Sequence, residues 1–185
     1  MVLLEQVQEE LREAEEGRAK TSMDEILRKG GEGESLTERT LVFLKPEAIL
    51  RGLMGEIIGR IEKRGLTIAA MKLLQLTRKQ AEKIYEVHRG KNFYDPLVEH
   101  VTSGPILAMI VEGPNAVSIL RRMIGKTSPL EAQSGTIRGD FALSIQKNVV
   151  HASDSLENAR KEIEILFKPD EILNYRKPTE AQYLL

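Results

Sequence analysis

Cysteine is absent from the chain, which removes disulfides, thiolate catalysis and cysteine-based zinc sites together. Aromatic residues make up only 4%, so there are few platforms on which nucleic-acid bases could stack. No apolar run reaches membrane-spanning length. Residues 1–20 are rich in glutamate and lack a basic segment followed by an apolar one, so they read neither as a secretory leader nor as a transit peptide. A cytoplasmic location is the expectation. Histidine is scarce as well, with three in 185 residues. Against these absences stand 41% hydrophobic and 30% charged residues, enough for one globular domain with a buried core.

Net charge is −1, but it is unevenly spread: −6 through Glu38 and +5 from Arg39 onward. A mildly basic domain therefore carries an acidic N-terminal piece. That excess suits an anionic small molecule better than nucleic acid. In the acidic piece, Leu4, Val7, Leu11 and Ala14 recur at helical spacing. Ser22 and Glu25 have capping-box spacing for a second short helix ending near Lys29. Gly30, Gly31 and Gly33 then mark a linker. The chain divides into residues 1–38, an acidic helical extension with its linker, and residues 39–185, the main domain with a C-terminal tail.

The main domain alternates. Strands are predicted at 40–45, 66–76, 105–112 and 141–150, and helices at 53–64, 77–88, 93–101, 114–124 and 155–167. Pro114 is expected to open its helix, and 125–139 to be a long loop. The fold class is α+β: a ferredoxin-like βαββαβ antiparallel sheet with helices on one face and further helices added, preceded by the short helical extension.

Three motifs lead nowhere. Gly125-Lys126-Thr127 resembles the end of a phosphate-binding P-loop, but the glycine required five residues earlier is Leu120, and a helix precedes the segment rather than a strand. Arg138-Gly139-Asp140 spells an adhesion tripeptide in a chain that otherwise looks intracellular. Gly31 and Gly33 lack the third glycine of a dinucleotide fingerprint.

The informative stretch is Asn148-Val-Val-His151-Ala-Ser-Asp-Ser155, where an apolar run ends on a histidine before a helix. His88 and His100 lie near helix ends among polar residues and read as satisfied polar residues. His151 differs. An imidazole with an unperturbed pKa of ~6.5 is a good nucleophile near neutrality. Choosing which nitrogen attacks requires a hydrogen bond to the other. Glu162, two turns into the next helix, is placed to provide it. Lys45 closes the first strand, Arg121 precedes the long loop, Thr127 and Arg138 lie in it, and Asn148 ends the last strand. Converging on His151, they would form a set of phosphate donors.

Residues Thr40-Leu-Val-Phe-Leu-Lys45-Pro46-Glu47-Ala48, Ser103-Gly104-Pro105, Gly125-Lys126-Thr127-Ser128-Pro129, Gly135-Thr136-Ile137-Arg138-Gly139-Asp140 and the His151 stretch together resemble nucleoside diphosphate kinases, from Thr40 to about Tyr175. The last motif follows that family's N-x-x-H-[G/A]-S-D pattern. Glu47 stands where the family often has aspartate. The resemblance implies a ping-pong transfer of the γ-phosphoryl group from a nucleoside triphosphate to a nucleoside diphosphate through a phosphohistidine on His151. Mg²⁺ would be carried on the nucleotide phosphates, with no metal held directly by side chains. It implies that Lys45 meets the outer phosphates and ribose, and that Tyr85 lies near the γ-phosphate. Arg121, Thr127 and Arg138 would hold phosphates, and Asn148 would meet the ribose 3′-hydroxyl. Phe93 would stack on the base with Leu97 beside it, Glu162 would orient the histidine, and Ser153 would lie close by. The family assembles as hexamers or, in some bacteria, tetramers. The Thr127-Ser128-Pro129 loop resembles a trimer-contact segment, so a hexamer is favoured over a tetramer. The competing reading is a weakly active member that acts as a binding or assembly module through its N-terminal helices.

Overall fold

The computed structural model describes residues 37–175. The expected N-terminal helices and glycine-rich linker lie outside the described residues, as does most of the expected C-terminal tail. Four strands, β1 (Thr37–Leu44), β2 (Thr67–Gln75), β3 (Pro105–Pro114) and β4 (Val150–Ala152), form one antiparallel sheet in the order β2-β3-β1-β4. The helices are α1 (Pro46–Leu50), α2 (Met54–Lys63), α3 (Arg78–Ile84), α4 (Tyr94–Thr102), α5 (Ala116–Ile124), α6 (Ile137–Phe141) and α7 (Leu156–Leu166). The order β1-α2-β2, then β3-α5-β4, is the expected βαββαβ unit.

The period-two alternation of β1 sorts its side chains between two cores. Leu41 and Phe43 pack with Ile84, Val98 and Ile163, whereas Val42 and Leu44 pack with Ile57, Ile61 and Leu120. Helices therefore cover both faces, not one. The crossover helices α2 and α5 share a face as expected, and α3, α4 and α7 cover the other. Burial of each large apolar side chain contributes roughly 1.5–3 kcal/mol, so a four-stranded sheet buried on both sides has a core its length alone would not supply.

Several boundaries differ from the sequence reading. β1 begins at Thr37, opposite Pro114. Pro114 ends β3 rather than opening α5, whose N-cap is Asn115 at φ 52°. The largest correction is the fourth strand. Phe141, Leu143 and Ile145 alternate like a strand, but Thr136 accepts a hydrogen bond from the Gly139 N–H and starts α6, which takes Phe141. Leu143 and Ile145 are then exposed, and only Val150–Ala152 pairs with β1. The long loop accordingly ends in a helix instead of running through Gly139.

The α3 start matches its signal. Thr77 accepts from the Gln80 N–H at 3.2 Å, and its own N–H donates to the Gln80 side chain at 3.0 Å. Thr77→Ala is expected to cost about 1 kcal/mol, readable as a lower urea midpoint at unchanged m. An unchanged midpoint would show that packing alone holds α3.

Candidate active site

β4 places His151 in mid-strand rather than at a strand end, with Phe43 of β1 as its register partner. The Phe43 ring stacks on the imidazole with centroids 4.6 Å apart and planes at 22°. Tyr85, at the end of α3, meets it edge-on at 5.4 Å. The ring plane is thus fixed from two sides. Ser155 caps α7 immediately after β4 by accepting from the Asn158 N–H. The buried face of α7 carries Ala159, Glu162, Ile163 and Leu166, a helical stripe with one acid in it. Glu162 Oε2 lies 3.0 Å from His151 Nε2 and accepts from Ser153 Oγ at 2.6 Å. A carboxylate oxygen only accepts, so Nε2 carries the hydrogen and Nδ1 keeps the lone pair.

The segment leading into His151 is bent. The Val150 N–H donates to the Asn148 carbonyl at 2.8 Å, and Val149 between them has φ 74°. This is a γ-turn of the rarer, strained hand. A β-branched residue held there costs roughly 1–3 kcal/mol. The surroundings hold it in place. Glu47 Oε1 accepts the Val149 N–H at 2.9 Å, and the Lys45 N–H donates to the Val149 carbonyl at 2.9 Å. Glu47 Oε2 in turn lies 2.7 Å from His100 Nε2. Burial works against the Glu47 carboxylate, but its bonds to His100 and Val149 win and hold it below the usual carboxylate range.

Arg138 closes the turn from the other side. Its guanidinium donates to the carbonyls of Val150 at 2.9 Å, Gly125 at 3.1 Å and Asn148 at 3.4 Å. Gly125 is at φ 85°, and a Cβ there would collide with Thr136. Burial, and then repulsion from Arg121, push Arg138 down to about 10. Lys45 donates to Asn148 Oδ1 at 2.6 Å, and Asn148 Nδ2 donates to the Thr127 carbonyl at 3.3 Å. Burial, reinforced by Arg138 and opposed by Glu47, lowers Lys45 to about 8. Cations depressed by their surroundings are poised for an anion.

Many of these groups border one cavity of about 700 Å³. Lys45, Arg121, Thr127, Arg138, Asn148, His151 and Glu162 line its inner part, and Tyr85, Phe93 and Leu97 line it on the α3–α4 side. Ser153 is buried behind His151 rather than lining the cavity. Sequence reasoning missed four contributors. Phe43 was hidden in an apolar strand, though its position two residues before Lys45 puts it on the active face. Glu47 was noted only as a departure from the family. His88 and His100 were read only as satisfied polar residues, and both line the cavity. His88 lies edge-on to Phe93 at 5.4 Å.

A family model described as nucleoside diphosphate kinase matches residues 38–172. The chain belongs to the nucleoside diphosphate kinase family. The Kosmotoga olearia nucleoside diphosphate kinase is 58% identical over 79% of this chain and 99% of its own length. The Staphylothermus marinus enzyme is 59% identical over 75% and 99%. Among solved structures, the Halobacterium salinarum nucleoside diphosphate kinase in complex with CDP superposes with a TM-score of 0.76 at 36% identity, covering 78% of this chain and 96% of that one. The Encephalitozoon cuniculi nucleoside diphosphate kinase gives 0.75 at 41%, covering 78% and 99%. The antiparallel α+β architecture is thus that of nucleoside diphosphate kinases. Among the described residues no helix is long and apolar enough to cross a membrane.

Proposed function

We propose that this nucleoside diphosphate kinase works by ping-pong phosphoryl transfer through His151. The observation that carries this reading is the commitment of Nε2 to Glu162, which leaves Nδ1 as the nucleophile in a cavity lined by Lys45, Arg121 and Arg138. The Nδ1 lone pair forms a bond to the γ-phosphorus of a nucleoside triphosphate as the bond to the bridging oxygen breaks, releasing the diphosphate. An acceptor diphosphate then reverses the step. A cavity of this size takes one nucleotide at a time, so donor and acceptor use it in turn. The P–N bond preserves the transfer potential between two triphosphates of nearly equal energy, and the protein's share is positioning and charge neutralisation.

Arg121, Thr127 and Arg138 hold the phosphates, and Lys45 with Asn148 meets the outer phosphates and the ribose 3′-hydroxyl. Phe93 and Leu97 take the base by stacking and contact, which tolerates many bases. The Tyr85 hydroxyl is buried with no hydrogen-bond partner among the described residues, so it is a donor in reserve for a γ-phosphate oxygen. The cationic donor set suits phosphate oxygens and not a bare cation. Mg²⁺ therefore fits here as part of the nucleotide, where it would neutralise phosphate charge. A homo-oligomer is supported by exposed Leu130, Leu143, Met71 and Leu73, apolar groups that a second copy would cover, and the preference for a hexamer rests on the resemblance of the Thr127-Ser128-Pro129 loop. The residues before β1 are a separate extension in this reading, and the location is the cytoplasm.

The deciding experiment mixes the protein with Mg²⁺ and γ-labelled ATP without acceptor. A base-stable, acid-labile label that added GDP discharges as GTP is the expected result. A protein that binds ATP and takes no label would sink the ping-pong route.

Lys45 adds a pH signature. With its folded value near 8 and its unfolded value near 10.5, the unfolded chain binds the extra proton between them. Stability of the nucleotide-free protein therefore rises with pH across that window, to which Lys45 contributes. A bound phosphate favours the charged form, so ADP binding near pH 8.5 is expected to take up a proton, and ADP affinity to fall as pH rises through about 8. Calorimetry in two buffers of different ionisation enthalpy reads this directly. Proton uptake that persists in Lys45→Met would assign it to another group.

A further inference from the structure

The Asn148–Val150 turn is held by a carboxylate and an imidazole that the chemistry above does not use. Two side chains of the Lys45-Pro46-Glu47 segment reach it. The Lys45 ammonium bonds the Asn148 side chain at 2.6 Å, and Glu47 Oε1 takes the Val149 N–H at 2.9 Å. The second Glu47 oxygen is 2.7 Å from His100 Nε2, and both side chains are largely buried at 11% and 15% exposure. His100 lies on the same stripe as Phe93, Pro96 and Leu97, which all line the cavity. One chain of bonds thus runs from the base wall through His100 and Glu47 to Val149, with Asn148 on one side of it and His151 two residues beyond. A buried acid whose two oxygens have two different partners, one of them the N–H of a strained residue beside the nucleophile, is more than a filler of core volume.

We infer that Glu47 and His100 form a positioning pair: Glu47 holds the turn that presents His151 and Asn148, and His100 ties that turn to the cavity face of α4. Neither touches the reacting atoms. Without the carboxylate, Val149 loses the acceptor for its N–H and can relax out of φ 74°, which moves Nδ1 relative to the bound phosphorus. Asn148 shares the turn, but Lys45, Arg121, Thr127 and Arg138 stay in place, so the loss falls mainly on the rate of transfer and little on affinity. This inference rests on the reading of His151 as nucleophile.

The test is rapid-mixing phosphorylation with Mg²⁺ and saturating γ-labelled ATP, beside calorimetric affinity for ADP. The proteins are the wild-type full chain, Glu47→Ala, Glu47→Gln, His100→Phe, His100→Gln and Glu47→Ala/His100→Phe. Glu47→Ala is expected to slow labelling by about 10- to 100-fold, the scale of an ångström-level misplacement. Its ADP affinity should stay within about threefold of wild type, a rate-only loss. Glu47→Gln keeps an oxygen for Val149 and should recover most of the rate. The double variant should be no slower than Glu47→Ala, because the pair acts as a unit. If Glu47→Ala does not fold, His100→Phe decides: a slowed label restored by His100→Gln supports the pair, and an unchanged rate overturns it. Wild-type labelling in folded Glu47→Ala, strictly additive losses, or a loss confined to ADP affinity would also overturn it. A wild type that takes no label sinks the His151 reading and this inference with it, whereas normal labelling in both wild type and Glu47→Ala sinks the inference alone.

Discussion

His151→Ala is expected to lower phosphoryl exchange by roughly 10⁵- to 10⁶-fold, the scale seen when an enzyme loses its nucleophile outright. The surrounding geometry offers no substitute. Ser153 is buried, and its hydroxyl already donates to Glu162. His88 stacks on Tyr85 with ring centroids 6.3 Å apart, and its ring contacts Lys91 rather than a carboxylate. Its pKa is held below the usual histidine value by burial, Lys91 and His151. The variant should still bind nucleotide, because Lys45, Arg121 and Arg138 keep their places. Steady-state exchange at saturating ATP and GDP, read beside ADP affinity, separates the two effects. Residual exchange above about 1% of wild type would be too much for a missing nucleophile. It would move the chemistry to another group.

How much of this was legible beforehand depends on whether the signal was local. The strands β2 and β3 and the helices α2, α3, α4 and α7 could be read because their apolar periods and caps are contiguous, as with Thr77 and Ser155. The Lys45, Asn148 and His151 positions could be read because they cluster in short motifs. The Glu47–Val149 bond spans 102 residues and the Glu47–His100 bond 53, and no periodicity encodes either. The fourth strand misled for a related reason. A period-two stripe states that a face is apolar but not what covers it, and Leu143 and Ile145 are exposed to solvent in the single chain. The γ-turn was unreadable in principle, since Val149 is a poor residue for φ 74° and sits there only because Glu47 and Lys45 satisfy its own N–H and carbonyl and Arg138 satisfies the carbonyls of its neighbours.

Arg138→Ala combines two losses that can be measured apart. The guanidinium is buried at 6% exposure and braces three carbonyls around the turn and the Gly125 bend. Removing it leaves those carbonyls short of donors, and a buried acceptor left unsatisfied costs about 1–3 kcal/mol. It also removes a positive charge from the place where the transferring phosphoryl group carries its negative charge. Losing one such donor costs on the order of 3 kcal/mol of barrier, or about 10²- to 10³-fold in kcat. Arg138→Lys restores a charge but not the planar fork, so it should regain nucleotide affinity more fully than rate. Urea unfolding gives the first loss, and kcat measured well below the melting temperature gives the second. Arg138 is held down to about 10 by burial and by Arg121. A phosphate bound between the two guanidiniums relieves that repulsion, so saturating ADP should raise the melting temperature of the wild type more than that of Arg138→Ala. Equal ADP shifts together with an undiminished kcat would make Arg138 a strut of the fold and leave Arg121 as the phosphate's principal cation.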